Sequence, residues 1–353
     1  MEMVDCIPSP YFFVESEPME FRPITFSPAY TIVPTYECFN RCRYCNFREE
    51  PGKSPWISLE EVTEKLRSLQ SQNQNSDFPQ AIEILILSGE VHPQSSRRAE
   101  WFEHIYQICE KALEFDFLPH TNAGPLSYDE MQRLKAVNVS MGLMLEQLTP
   151  KLLETVHQQA LSKQPEIRLQ QLNWAGKLNI PFTTGLLLGI GETEADRWET
   201  LEAIAQVHQQ WGHIQEVILQ PYSPGSQEMW ANEGFRPAEL IEIVTVAREI
   251  LPSEITIQVP PNLISDPQFL WKCLDAGARD LGGIVPRDEV NPDYGHQDYE
   301  TLATELRKNG WQLVPRLPIY PHYDRWLPEP LQLRVTNWRS RIQSYSPNSS
   351  GVL

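Results

Sequence analysis

PFTTGLLLGIGETEADRWETLEAIAQVHQQWGHIQEVILQPY, residues 181–222, reads as a strand, a helix and a second strand. The run PFTTGLLLGI (181–190) is almost continuously apolar, and IQEVILQPY (214–222) is rich in aliphatic residues. Strands of that composition are buried on both faces, as in a parallel sheet covered by helices. Between them, TEADRWETLEAIAQVHQQW spaces its apolar residues at three and four, the period of an amphipathic helix.

The same unit recurs outward in both directions. Upstream lie TIVPTYE (31–37), IEILILSGE (82–90), DFLPHTN (116–122) and VSMGLMLE (139–146); downstream lie ITIQVPP (255–261) and DLGGIVP (280–286). Helical patterns alternate with them. SLEEVTEKLRSLQ opens on Ser58 with Glu61 three residues on, and SYDEMQRLKAV opens on Ser127 with Glu130, both capping boxes. AEWFEHIYQICEKALEF, EIRLQQLNWAGKLN, RPAELIEIVTVAREIL, DPQFLWKCLDAGA and YETLATELRKNG complete the set. Eight strand candidates, each followed by a helix, predict a TIM-type (β/α)8 barrel over residues 31–310. The alternative is a partial (β/α)6 barrel. Residues 1–30 then form an N-terminal extension, and 311–353 a C-terminal extension ending in the loose tail SPNSSGVL. The 30 prolines punctuate the ends of apolar runs, at Pro34, Pro119, Pro181, Pro221, Pro260 and Pro286, and do not cluster into a linker.

Composition removes several classes of function. The 353 residues carry 29 Lys and Arg against 47 Asp and Glu, a net charge of −18, which disfavours a nucleic-acid partner. Six cysteines are too sparse for a disulfide scaffold. No apolar run approaches the roughly 20 residues of a membrane span, and the acidic start MEMVDCIPSPYFFVESEP lacks the pattern of a secretory signal.

In a barrel, chemistry sits on the loops after the strands. The sharpest feature there is ECFNRCRYCNF, which places Cys38, Cys42 and Cys45 in a C-x3-C-x2-C array after the first strand. Three thiolates in eight residues can reach one soft metal centre. They lack the second knuckle of a structural zinc site, and Cys6, Cys109 and Cys273 are isolated, the last two at buried-type helix positions. The triplet fits a [4Fe–4S] cluster with one iron open to an exogenous ligand; zinc, or a fourth distant ligand, are the alternatives.

The array resembles the signature of the radical S-adenosylmethionine (SAM) superfamily, in which the open iron binds SAM and the reduced cluster cleaves it to a 5′-deoxyadenosyl radical. The resemblance implies roles for other residues. Tyr44 stands where the superfamily has an aromatic near the adenine. Ser88, Gly89 and Glu90 stand at the motif for the SAM amino group, with serine in place of the first glycine. GLLLGIGE, with Gly189 and Glu192, resembles the adenine-side motif. Arg168 stands where a related branch pairs arginine with the SAM carboxylate; a surface pair with Glu166 is the alternative. Glu146 is a candidate for the ribose hydroxyls.

FLPHTNAGPLS, MGLMLE, PFTTGLLLGIGET, QVPPNL and DLGGIVPRDEVNPDY further resemble the CofG family of 7,8-didemethyl-8-hydroxy-5-deazariboflavin (FO) synthases. Gln220-Pro221-Tyr222 departs from the family's usual QNF. The resemblance implies oxidation of a hydroxybenzyl–ribityluracil adduct with ring closure and ammonia release. It also implies supply of that adduct by a separate CofH partner, an external one-electron reductant and a reducing, cytoplasmic location. The substrate so implied is neutral, aromatic and polyhydroxylated. Thr121, Asn122, Gln220 and Asn262 are therefore candidates to bind it, and His120, Tyr222 and Asp288 are candidates for its chemistry. His120 suits proton transfer if it titrates near neutrality, or is simply hydrogen-bonded beside Pro119. The tyrosine-using partner subunit, a biotin-synthase-like enzyme and a non-catalytic iron–sulfur or zinc barrel are the competing readings.

Overall fold

The computed structural model describes residues 21–76, 79–228, 230, 232–284 and 287–344. Most of the expected N-terminal extension, the loose tail, Cys6 and Pro286 lie outside them. Nine strands are described: β1 (Arg22–Ile32), β2 (Glu83–Leu87), β3 (Leu118–Asn122), β4 (Ser140–Gly142), β5 (Phe182–Leu188), β6 (Ile214–Pro221), β7 (Thr256–Gln258), β8 (Asp280–Ile284) and β9 (Trp311–Pro315). The helices are α1 (Leu59–Gln74), α2 (Arg98–Glu114), α3 (Tyr128–Leu134), α4 (Pro165–Lys177), α5 (Glu194–Trp211), α6 (Pro237–Ile250), α7 (Pro267–Ala276), α8 (Tyr299–Lys308) and α9 (Glu329–Ser344).

Strands β1 to β8 pair in sequence order, all parallel, and β8 returns to β1, so the sheet closes into the expected eight-stranded barrel. Closure removes the edges that an open sheet would have to protect. Each crossover is a helix whose apolar stripe lies on the barrel wall. Both anticipated capping boxes form: Ser58 Oγ accepts from the Glu61 N–H, and Ser127 Oγ from that of Glu130. Cys109 and Cys273 are fully buried in α2 and α7, as their helical positions suggested.

Two boundaries differ from the sequence reading. The first barrel strand is RPITFSPAYTI, starting at Arg22, and TIVPTYE mostly forms the loop that follows it. Proline at 23 and 28 masks the strand, yet Pro28 still takes a place opposite Ile284. Past residue 310 the chain adds β9, parallel to β1 from Arg22↔Trp311 to Phe26↔Pro315. It then runs below the barrel, where Leu317, Ile319, Tyr323, Leu331, Val335 and Trp338 pack on Ile82, Leu118 and Val139. The C-terminal residues therefore seal the N-terminal end of the barrel.

The two-residue period of a strand assigns its side chains. Ile84 and Ile86 of β2 join the core beneath the helices, while Glu83, Leu85 and Leu87 line the interior. On β6, Val217 and Leu219 face the core, and Glu216, Ile218 and Gln220 face inward. The interior thus carries polar side chains among apolar ones, and it encloses a cavity of about 370 Å³.

Candidate active site

The cysteine loop follows β1 and is tied to two neighbouring loops. Phe39 N–H donates to Glu90 O at 3.0 Å, Arg41 N–H to Gln159 O at 2.7 Å, and Arg43 N–H to Val156 O at 3.0 Å. Cys38, Cys42 and Cys45 are free, half-buried and lie on the wall of the barrel cavity. Burial pushes the Cys38 thiol up to about 11, with Glu90 adding to the effect. Burial pushes Cys42 up to about 12 despite the opposing charge of Lys163. Thiolates here need a bound cation to stabilise them. Among the described residues no three His, Cys, Asp or Glu side chains converge closely enough to chelate a single ion. The thiols border a shared space, and soft donors around a space fit the cluster inferred from their spacing.

Beside them lies a buried charged group from three elements. Glu90, after β2, accepts from Asn40 Nδ2 at 2.9 Å, and Asn40 also donates to Ser162 Oγ at 2.9 Å. Arg168 of α4 is 2 % exposed, so it is not a surface arginine paired with Glu166. Its Nη2 lies 3.6 Å from Glu90 Oε1, its Nε donates to Ser162 O at 3.0 Å, and its Nη1 donates to Met144 O. Glu146 stands past β4 at φ 64°, its carboxylate paired with Lys163. Burial alone would raise the Glu146 pKa, but Lys163 and Arg168 outweigh it and hold the carboxyl below its usual range. Tyr44 directs its hydroxyl at His157 Nε2, 2.8 Å away. Gly89 admits no side chain, since a Cβ there would sit 2.2 Å from Glu37 O. Ser88 fills the position of the first motif glycine; its hydroxyl donates to Gly89 O and accepts from Trp101 Nε1 at 3.0 Å. Lys163 and Asn40 were not singled out from sequence, because a lone lysine in a loop and an asparagine between cysteines carry no periodic signal.

The cavity runs from this group into the barrel and is lined by Asn122, Gln220, Tyr222, Asn262 and Asp288 among others. The side chains of Asn122 and Gln220 have no hydrogen-bond partner among the described residues. Asn262 Nδ2 donates to Asp288 Oδ2 at 2.9 Å, while its buried Oδ1 is unpartnered.

Thr121, Glu192 and the titration expected of His120 need correction, while Asp288 and Tyr222 lie on the cavity wall with partners of their own. Thr121 points outward, because it alternates with inward His120 and Asn122; its hydroxyl donates to Asn138 Oδ1 at 2.7 Å. Glu192 does not line the cavity. Its carboxylate accepts from the N–H groups of Gly189 and Ile190 at 2.7 and 2.8 Å and from Arg197, so the glycine-rich turn is self-supporting. Asp288 orders its own loop by accepting from Val290 and Asn291 N–H, both at 2.9 Å. The Tyr222 hydroxyl donates to Glu228 at 2.5 Å, and burial with that carboxylate raises its pKa. His120 does not titrate near neutrality: burial, reinforced by Arg316, pushes it down to about 3.

The floor was not legible beforehand. Arg316, just past β9, donates to Asp280 at 2.6 and 2.8 Å and to Glu216, which also accepts from Thr183 Oγ1 at 3.0 Å. Glu83 accepts from Ser27 Oγ at 2.5 Å.

A cysteine triplet at the mouth of a closed barrel, with buried acid–base pairs beside it, fits a radical SAM enzyme, and residues 32–204 match the model of the Radical SAM superfamily. The chain is 62 % identical over 318 residues to a 7,8-didemethyl-8-hydroxy-5-deazariboflavin synthase of Trichormus variabilis, covering 90 % of this chain and 92 % of that one. It is 59 % identical over 324 residues to the synthase of that name from Trichodesmium erythraeum, covering 92 % and 99 %. The chain belongs to the 7,8-didemethyl-8-hydroxy-5-deazariboflavin synthase family of radical SAM enzymes. Among solved structures, the FeFe-hydrogenase maturase HydG from Carboxydothermus hydrogenoformans superposes with a TM-score of 0.70 at 16 % identity, over 93 % of this chain and 80 % of that one. Methylornithine synthase (PylB) gives 0.62 at 15 % identity, over 83 % and 84 %. At those identities the likeness concerns the fold. No helix among the described residues is long and apolar enough to cross a membrane.

Proposed function

We propose that the chain performs the closing half of FO formation on a hydroxybenzyl–ribityluracil adduct supplied by a separate CofH-type partner. The observation that carries this reading is one cavity bordered by both the cysteine loop and an amide-lined barrel interior. Cys38, Cys42 and Cys45 would hold a [4Fe–4S] cluster, and Glu90, Arg168 and Glu146 would hold SAM. When bound, and primed by an external one-electron reductant, that pair supplies a 5′-deoxyadenosyl radical. Arg168 suits a carboxylate through its planar fork, and its carbonyl contacts fix that fork in place.

The overall change balances as adduct plus SAM giving FO, methionine, 5′-deoxyadenosine and ammonium. The adduct gives up two electrons and SAM takes them. The residues contribute binding and enclosure. Asn122, Gln220 and Asn262 offer neutral donors and acceptors to a neutral substrate. The closed wall and sealed floor keep water from a primary carbon radical. A reducing, cytoplasmic setting suits such a cluster.

The test is to give the anaerobically reconstituted enzyme, SAM and dithionite either the adduct, or tyrosine with 5-amino-6-ribitylaminouracil. FO from the adduct alone supports the closing half. Adduct made from tyrosine would assign the chain to the opening half and reject the proposal.

A further inference from the structure

Inside the barrel, below the amides at its mouth, one imidazole is held in a defined state. Ser140 Oγ donates its single proton to Pro318 O at 2.5 Å. It can therefore only accept from His120 Nδ1, which lies 2.7 Å away. Nδ1 then carries the hydrogen, and in a neutral ring Nε2 is a bare acceptor. Nε2 has no partner among the described residues. Gly142 makes room for it, since a Cβ there would lie 2.9 Å from Nε2.

Gln258 of β7 lines the same cavity, and its amide also has no partner among the described residues. Gly282, at φ +76°, makes room for it, since a Cβ there would come within 2.2 Å of its Nε2. Apolar residues flank both: Leu85 is in register with His120, and Ile218 with Gln258. Below, Glu83, Glu216 and Asp280 surround the guanidinium of Arg316, so among the described residues the floor offers no free cation to an anionic group. Isolated acceptors and donors between aliphatic walls suit a chain of carbons bearing hydroxyls.

We propose that this inner level is the subsite for the substrate's polyol chain, with His120 Nε2 accepting from a hydroxyl, the Gln258 amide pairing with another, and Ser140 as the positioning residue that fixes the imidazole tautomer. The proposal rests on the FO reading above.

The probes are FO, which carries the polyol, and its N10-pentyl analogue, which lacks every chain hydroxyl. Both are titrated by fluorescence into the unreduced, cluster-loaded enzyme, so no turnover is needed. The wild type should prefer FO. His120→Phe and Gln258→Leu should each lower that preference roughly 3- to 10-fold, the effect of one neutral hydrogen bond, with pentyl-analogue affinity unchanged. Nitrogen-15 NMR should find His120 as the Nδ1–H tautomer, and Ser140→Ala should mix the tautomers and weaken FO binding. Cluster absorbance reports folding; if one variant loses the cluster, the other carries the comparison. Equal wild-type affinity for both probes, preference intact in a folded variant, or a tautomer unmoved by Ser140→Ala would overturn the subsite. A wild type that makes FO yet binds both probes equally rejects the subsite alone, whereas one that makes no FO from the adduct rejects the underlying reading.

Discussion

Arg168 Nη2 stands 3.6 Å from Glu90 Oε1, and that pair joins the start of α4 to the loop after β2 directly beside the cysteine loop. Glu90 also holds Asn40, which lies between Cys38 and Cys42. The cysteine loop and the buried charges beside it are therefore one mechanical unit, and disturbing either end should be felt at the other.

Replacing Cys38, Cys42 or Cys45 by Ala should remove the iron–sulfur absorbance and reductive SAM cleavage together. Iron content and 5′-deoxyadenosine yield are the measurements. Cleavage retained in any one variant would exclude that residue from the ligand set.

Arg168→Lys keeps the charge and loses the planar fork. SAM affinity, measured by equilibrium dialysis on cluster-loaded protein, should fall about 10- to 100-fold, the range for a hydrogen bond to a charged group. Unchanged affinity would remove Arg168 from the SAM site.

Gly124 has φ +76°, and a Cβ there would sit 2.4 Å from Glu90 Cδ. Gly124→Ala should displace the Glu90 carboxylate as well as strain the backbone, costing about 1–3 kcal/mol in denaturant unfolding. Lower SAM affinity in the folded fraction should accompany that loss.

His120, His157 and His213 are all pushed by burial from 6.5 down to about 3, so the folded protein keeps them neutral. Below about pH 6.5 the unfolded chain binds protons that the folded chain does not. Stability therefore falls as pH drops from 6.5 towards 3, and rises in the opposite direction. His213 lies away from the cavity, and His213→Phe should lower this slope by about 1.4 kcal/mol per pH unit between pH 4.5 and 6. Urea unfolding across that range checks it; an identical slope would show that His213 titrates normally.

The barrel was legible because near-continuous apolar strands and capped amphipathic helices each carry a local signal, as at PFTTGLLLGI and at Ser58 with Glu61. The cysteine triplet was legible for the same reason, since its three members share eight residues. What local pattern could not give was direction and distance. Thr121 is a plausible strand-end polar until β3's alternation turns it outward. Arg316 and Pro318 lie a hundred residues or more from Glu216 and Ser140, and only the pairing of β9 with β1 carries the chain beneath the barrel to meet them. Glu192 looks like a site carboxylate in sequence, but it is occupied by the N–H groups of its own turn.

The most direct measurement is a product count during anaerobic turnover of the adduct, with 5′-deoxyadenosine, FO and ammonium quantified in the same samples. One cavity serving both SAM and substrate should give the three products in equal amounts, with little 5′-deoxyadenosine when the adduct is left out. Steady 5′-deoxyadenosine formation that is indifferent to the adduct and yields no FO, from protein with a full cluster, would contradict it.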